Sequence, residues 1–102
     1  MSARSDRPLI MVVDDTAENL KLLDGILEGG QHEVRLFSSG ATMLRAAERD
    51  TPDLVLLDVL MPEMDGYEVC RRMRGEEALH DVPVLFLSAL SDVKSKVKAF
   101  EA

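Results

Sequence analysis

Three aspartates stand where short apolar runs end: the pair Asp14 and Asp15 after residues 9–13, and Asp58 after residues 54–57. Runs this short, continuous and rich in Val, Ile and Leu read as strands buried on both faces of a parallel sheet. The carboxyl ends of neighbouring strands in such a sheet open onto one crevice, so acids far apart in sequence converge there. Clustered carboxylates repel. At neutral pH some of them must stay protonated unless a hard divalent ion such as Mg²⁺ sits among them, and an ion of that kind points to phosphate chemistry.

The rest of the chain supplies the frame that such a crevice needs. After the first strand, Thr16 is placed as an N-cap and Leu20, Leu23 and Leu27 recur at helical spacing, with Glu18, Lys21, Asp24 and Glu28 opposite and Gly29-Gly30 as the stop. Residues 33–37 alternate polar and apolar, as an edge strand with one solvated face does. Ser38-Ser39-Gly40 leads into a helix carrying Leu44 and Ala47, which Thr51-Pro52-Asp53 breaks. Residues 54–57 form a central strand, and residues 61–66 a loop capped by Asp65 or Gly66 before a third helix with Val69, Cys70 and Met73. Beyond Gly75, a connection through His80 and Asp81 reaches a fourth strand over residues 84–87, ending at Ser88. Asp92 opens a last helix bearing Val93, Val97 and Phe100. The pattern is (βα)₄, an α/β domain with a parallel sheet, right-handed crossovers and helices on both faces.

Composition narrows the function further. The 102 residues suit one small domain, and 46% hydrophobic with 30% charged residues is ordinary for a folded soluble protein. A formal net charge of -7 disfavours direct contact with nucleic acid or an anionic membrane, both of which need clustered Lys and Arg. No apolar run approaches the roughly 18 residues of a membrane span, and residues 1–7 lack the apolar stretch of a signal peptide. A lone cysteine, Cys70, fits a reducing compartment, so the expected location is cytoplasmic. His32 and His80 lack metal-ligand spacing and read as solvated loop positions, and the scattered methionines read as gap filling.

Val12-Val13-Asp14-Asp15, the stretch Leu56-Leu57-Asp58-Val59-Leu60-Met61-Pro62-Glu63-Met64-Asp65-Gly66 and Leu87-Ser88-Ala89, at these separations, resemble a response-regulator receiver domain of two-component phosphorelay signalling. The resemblance runs from about Leu9 to the last residue, leaving residues 1–8 as an N-terminal tail and 9–102 as the domain. It implies a flavodoxin-like, doubly wound sheet of strand order 2-1-3-4, that is, (βα)₄ of the usual (βα)₅. It also implies that Asp58 accepts a phosphoryl group from a partner histidine kinase or phosphotransfer protein. Asp15, Asp58 and the backbone carbonyl of Leu60 would bind Mg²⁺ (or Mn²⁺), with Asp14 acting through an intervening water. Ser88 would be the switch hydroxyl that contacts a phosphoryl oxygen. Such a phosphoprotein is a signalling module and not an enzyme, promoting at most its own phosphorylation and dephosphorylation.

Each residue also has a plainer reading. Asp14 can cap the first helix, Asp58 can end a strand in an ordinary turn, Ser88 can cap the helix that follows, and Asp65 and Gly66 suit a structural turn. The sequence departs from the family where the fifth strand and its terminal lysine are expected; Lys94, Lys96 and Lys98 lie on the fourth helix and do not match that lysine. Residues 84–87 then become an apolar sheet edge, which implies edge-strand pairing, a dimer that exchanges elements, or a fragment whose missing part is supplied elsewhere. The alternative reading is a receiver-like dimerisation or docking module with impaired phosphotransfer. An aspartyl phosphatase is disfavoured, because Val59 and Leu60 stand where its second acid belongs.

Overall fold

A computed structural model describes residues 7–87. The elements run β1 (Leu9–Val13), α1 (Ala17–Leu27), β2 (Glu33–Phe37), α2 (Gly40–Arg49), β3 (Leu54–Asp58), α3 (Gly66–Arg74) and β4 (Val84–Leu87). The strands form one parallel sheet in the order β2-β1-β3-β4, as the family resemblance implies. The register pairs Val13 with both Phe37 and Leu57, and Asp58 with Leu87. Ser88 and the expected fourth helix with Asp92, Val93, Val97 and Phe100, as well as Lys94, Lys96 and Lys98, lie outside the described residues.

β1, and β3 as far as Leu57, are apolar because both their faces are covered. Leu9, Met11, Val13, Val55 and Leu57 pack with Met43 and Ala47 of α2 and Val69 and Met73 of α3, while Val12 and Leu56 face Leu23 of α1. Full burial of side chains this size stabilises the fold by roughly 1.5–3 kcal/mol each, so the face toward α2 and α3 is the main anchor. On α1 the predicted stripe of Leu20, Leu23 and Leu27 meets the sheet, whereas Leu22 and Ile26 remain exposed. Met11, Met43 and Met73 are fully buried, consistent with gap filling.

β2 departs from the expected half-solvated strand. Phe37 packs toward α2 and Val34 toward α1, and Arg35 is only partly exposed. Its guanidinium bonds Asp50 and Glu33, each at 2.9 Å, and these hydrogen bonds raise its pKa. An ion pair to the residue after α2 thus shields the polar face that alternation assigns to water. His32 differs too: it is half-buried, with Nε2 2.8 Å from the Leu27 carbonyl at the end of α1. His80 is exposed, as expected.

The connections are fastened by the backbone. Asp65 caps α3, its Oδ1 accepting the Glu68 N–H at 2.9 Å, and Glu68 in turn pairs with Arg71 and Arg72, whose hydrogen bonds lower its pKa. Arg74 Nη1 lies within hydrogen-bond reach of three carbonyls, those of Leu79 (3.3 Å), His80 (2.9 Å) and Val82 (2.9 Å), and so clamps the turn into β4. Gly66 donates its N–H to the Val59 carbonyl at 2.9 Å, and a Cβ added there would stand 2.4 Å from the Asp58 carbonyl oxygen. That neighbour is backbone and cannot swing aside. Gly66→Ala is expected to cost about 1–3 kcal/mol, read as a lower urea midpoint at unchanged slope; an unchanged midpoint would show that the loop can back away from β3.

Candidate functional site

Asp14, Asp15 and Asp58 meet at the carboxyl end of the two central strands. Each contributes a carboxylate oxygen, and these oxygens all lie within 4.8 Å of one another. Sheet register explains the meeting: one step beyond the pair Val13 and Leu57, Asp14 falls opposite Asp58. Asp14 and Asp58 are buried, at 1% and 3% exposure, while Asp15 opens to solvent.

Asp14 also has a structural role at the start of α1. Thr16 occupies the N-cap position of α1 but its side chain makes no capping bond. Asp14 braces the cap residue itself, with Oδ1 accepting the Thr16 N–H at 2.9 Å in a local turn, while its own N–H donates to the Phe37 carbonyl at 3.1 Å. Its Oδ2 accepts from Asn19 Nδ2 at 3.1 Å. Asn19, 4% exposed, is a part of the site that the sequence reading missed, although it sits one turn before Leu23 on the buried stripe, where a polar residue is itself a signal.

Leu60 lies two residues past Asp58 with its side chain exposed, in a loop whose Met64 N–H turns back to the Pro62 carbonyl at 2.8 Å. Glu63, between them, has φ 68°, a conformation that costs a non-glycine residue about 1–2 kcal/mol. Asp65 and Gly66 serve as cap and close-packing glycine, as the structural reading holds. A groove of about 610 Å³ lined by Ser39, Met61, Glu63, Asp65, Arg71 and Arg72 is separate from the three acids.

The donor set fits a small hard cation. Mg²⁺ takes oxygen ligands at about 2.0–2.1 Å in an octahedron, which sets ligand oxygens roughly 3–4 Å apart, a span that three carboxylates within 4.8 Å accommodate. Neither histidine nor cysteine takes part in the cluster. Among the described residues no helix is long and apolar enough to cross a membrane.

A doubly wound parallel sheet with an acid trio at its carboxyl edge defines a class of α/β domain with a candidate cation site, and comparison with known proteins sharpens that class. The family model of the response regulator receiver domain matches residues 10–102, and the chain belongs to that family. It is 39% identical over 102 residues to the response regulator PleD of Caulobacter vibrioides, covering 100% of this chain and 21% of that protein. The chain thus spans about a fifth of that relative's length. Among solved structures it is similar to the N-terminal domain of a response regulator receiver protein from Methanoculleus marisnigri JR1, with a TM-score of 0.76 and 39% identity over 83% of this chain and 68% of that one. It is also similar to the receiver domain of the sensor histidine kinase PA1611 from Pseudomonas aeruginosa PAO1, described with a magnesium ion coordinated in its active-site cleft. That match has a TM-score of 0.75 and 28% identity, over 91% of this chain and 79% of that one.

A cation that binds only the folded trio must stabilise it, by about 2.7 kcal/mol when its concentration is a hundredfold above Kd. Adding MgCl₂ is therefore expected to raise Tm in thermal scans followed by circular dichroism. Asp15→Asn, which alters an exposed residue, should leave Tm in EDTA unchanged or higher and abolish the rise. An equal rise in that variant would place the ion elsewhere.

Proposed function

We propose that this chain is a phosphoacceptor module of a two-component phosphorelay, with Asp58 as the residue that takes the phosphoryl group. The observation that carries the reading is the convergence of Asp14, Asp15 and Asp58 at the carboxyl edge of the sheet in a chain of the receiver family. A carboxylate oxygen of Asp58 attacks the phosphorus of a phosphohistidine on a sensor kinase or phosphotransfer protein. The P–N bond breaks as the O–P bond forms, and the departing imidazole leaves as neutral histidine once a proton is taken up from solvent. The product is an aspartyl phosphate. Burial of Asp58 shields this acyl phosphate from water.

Asp15, Asp58 and the Leu60 carbonyl are the proposed ligands of Mg²⁺, with Asp14 contributing through a water. When bound there, such an ion would offset charge on the phosphoryl oxygens, and these residues would chiefly position the reacting groups. The magnesium in the cleft of the Pseudomonas receiver supports this choice of ion. Ser88 is the proposed hydroxyl partner of a phosphoryl oxygen. The module acts as a stoichiometric acceptor in the cytoplasm, without direct contact with nucleic acid or membrane.

Incubation with Mg²⁺ and a small acyl phosphate, followed by intact mass spectrometry, is expected to add one phosphoryl group in wild type and none in Asp58→Asn. Absence of the adduct at saturating donor overturns the reading.

A second reading, docking or dimerisation through the sheet edge, is favoured by one observation. Among the described residues β4 is the outer strand, and its Leu85 is 58% exposed. An apolar parallel edge of this kind is a template for pairing. Sedimentation at rising concentration is expected to show self-association that Leu85→Lys suppresses, and a monomer throughout the range removes the reading.

A further inference from the structure

The first turn of α1 begins with Ala17 and Glu18 in solvent, yet Asn19 is buried on the stripe that Leu23 and Leu27 continue toward the sheet. An apolar side chain there would bury without penalty, whereas a buried amide costs roughly 1–3 kcal/mol unless its polar atoms find partners. Asn19 Nδ2 finds one in Asp14 Oδ2, at 3.1 Å between two buried residues. The opposite amide orientation would set two acceptors against each other. Asp14 Oδ1 is held independently, by the Thr16 N–H at 2.9 Å.

Two donors on different oxygens constrain a carboxylate more than one does. The Thr16 N–H alone fixes one oxygen and leaves the plane of the group free to turn about it. The Asn19 amide removes that freedom. Each oxygen of an ionised carboxylate has capacity for a second partner, so both remain available to whatever occupies the pocket. Because α1 packs on the sheet through Leu23, the amide is delivered by a fixed element.

We infer that Asn19 is a positioning residue of the acidic pocket: its amide locks the orientation of the Asp14 carboxylate beside Asp15 and Asp58, and so sets the affinity of the pocket for a divalent cation. The inference rests on the reading of that pocket as a cation site. Groups that orient metal-binding side chains from behind commonly govern affinity by 10–100-fold.

The test uses Mn²⁺ alone as probe, with the unbound ion quantified by its electron paramagnetic resonance signal in titrations of the full chain. Asn19→Leu keeps the size and the buried stripe but removes the donor. It is expected to weaken Mn²⁺ binding by about tenfold or more. Asn19→Gln retains an amide displaced by one methylene and is expected to give an intermediate Kd. Urea unfolding in EDTA is measured beside each titration, because a merely structural role would lower the midpoint and leave the Kd of the folded protein unchanged. If wild type binds Mn²⁺ and Asn19→Leu binds it equally well, the inference falls while the cation site stands. If wild type itself binds none, both fall. Should Asn19→Leu not fold, Asn19→Gln decides, and a Kd equal to that of wild type overturns the role.

Discussion

Like charge confined at the open end of a sheet is the constraint that the architecture answers. Two ionised carboxylates within 4.8 Å of one another repel by about 3 kcal/mol or more at the effective dielectric of a protein site. Hydrogen bonds to a charged group contribute about 1.5–3 kcal/mol each, so the Thr16 and Asn19 donors together offset roughly one such repulsion at Asp14. The remaining strain is relieved at the surface, where Asp15 meets water. What hydrogen bonding and solvation leave over is the drive to take up a cation.

The two faces of the sheet carry different shares of this task. The side toward α2 and α3 is dense with buried Leu, Met and Val and holds β1 and β3 in register, which is what brings Asp14 opposite Asp58. The side toward α1 has a smaller cluster around Val12, Leu23 and Leu56, and α1 contributes polar contacts to the site from its first turn. The loop after Asp58 is pinned where Gly66 rests on the strand end, and Glu63 accepts an unfavourable backbone conformation within it. Stability resides on one face and site chemistry at the margin of the other.

The strands were legible because both central strands are uninterrupted apolar runs ending in acid, a pattern that few other arrangements produce, whereas their order followed from the resemblance to the receiver family. Helix caps were legible where a side chain does the capping, as at Asp65, and only half legible at Asp14, which braces the cap residue Thr16 and faces the cluster. Asn19 escaped notice because an amide on a helix carries no charge and belongs to no motif; its meaning comes from burial, which needs tertiary packing. β2 has the expected bounds and edge position, and only the solvation of its polar face differs, for a related reason. The partner of Arg35 is Asp50, beyond an intervening helix, and alternation within a strand cannot report a contact made from outside it. His32 was placed in solvent because nothing local marks the Leu27 carbonyl as its neighbour.

The clamp made by Arg74 separates shape from surface in the segment entering β4. Its guanidinium grips main-chain oxygens, which every amino acid possesses, and among residues 76–81 only Leu79 is buried. Those exposed positions are thereby released from any duty to the fold. Side chains there can change in size or charge while the strand they feed keeps its course, so the surface of this short stretch is uncoupled from the architecture beneath it.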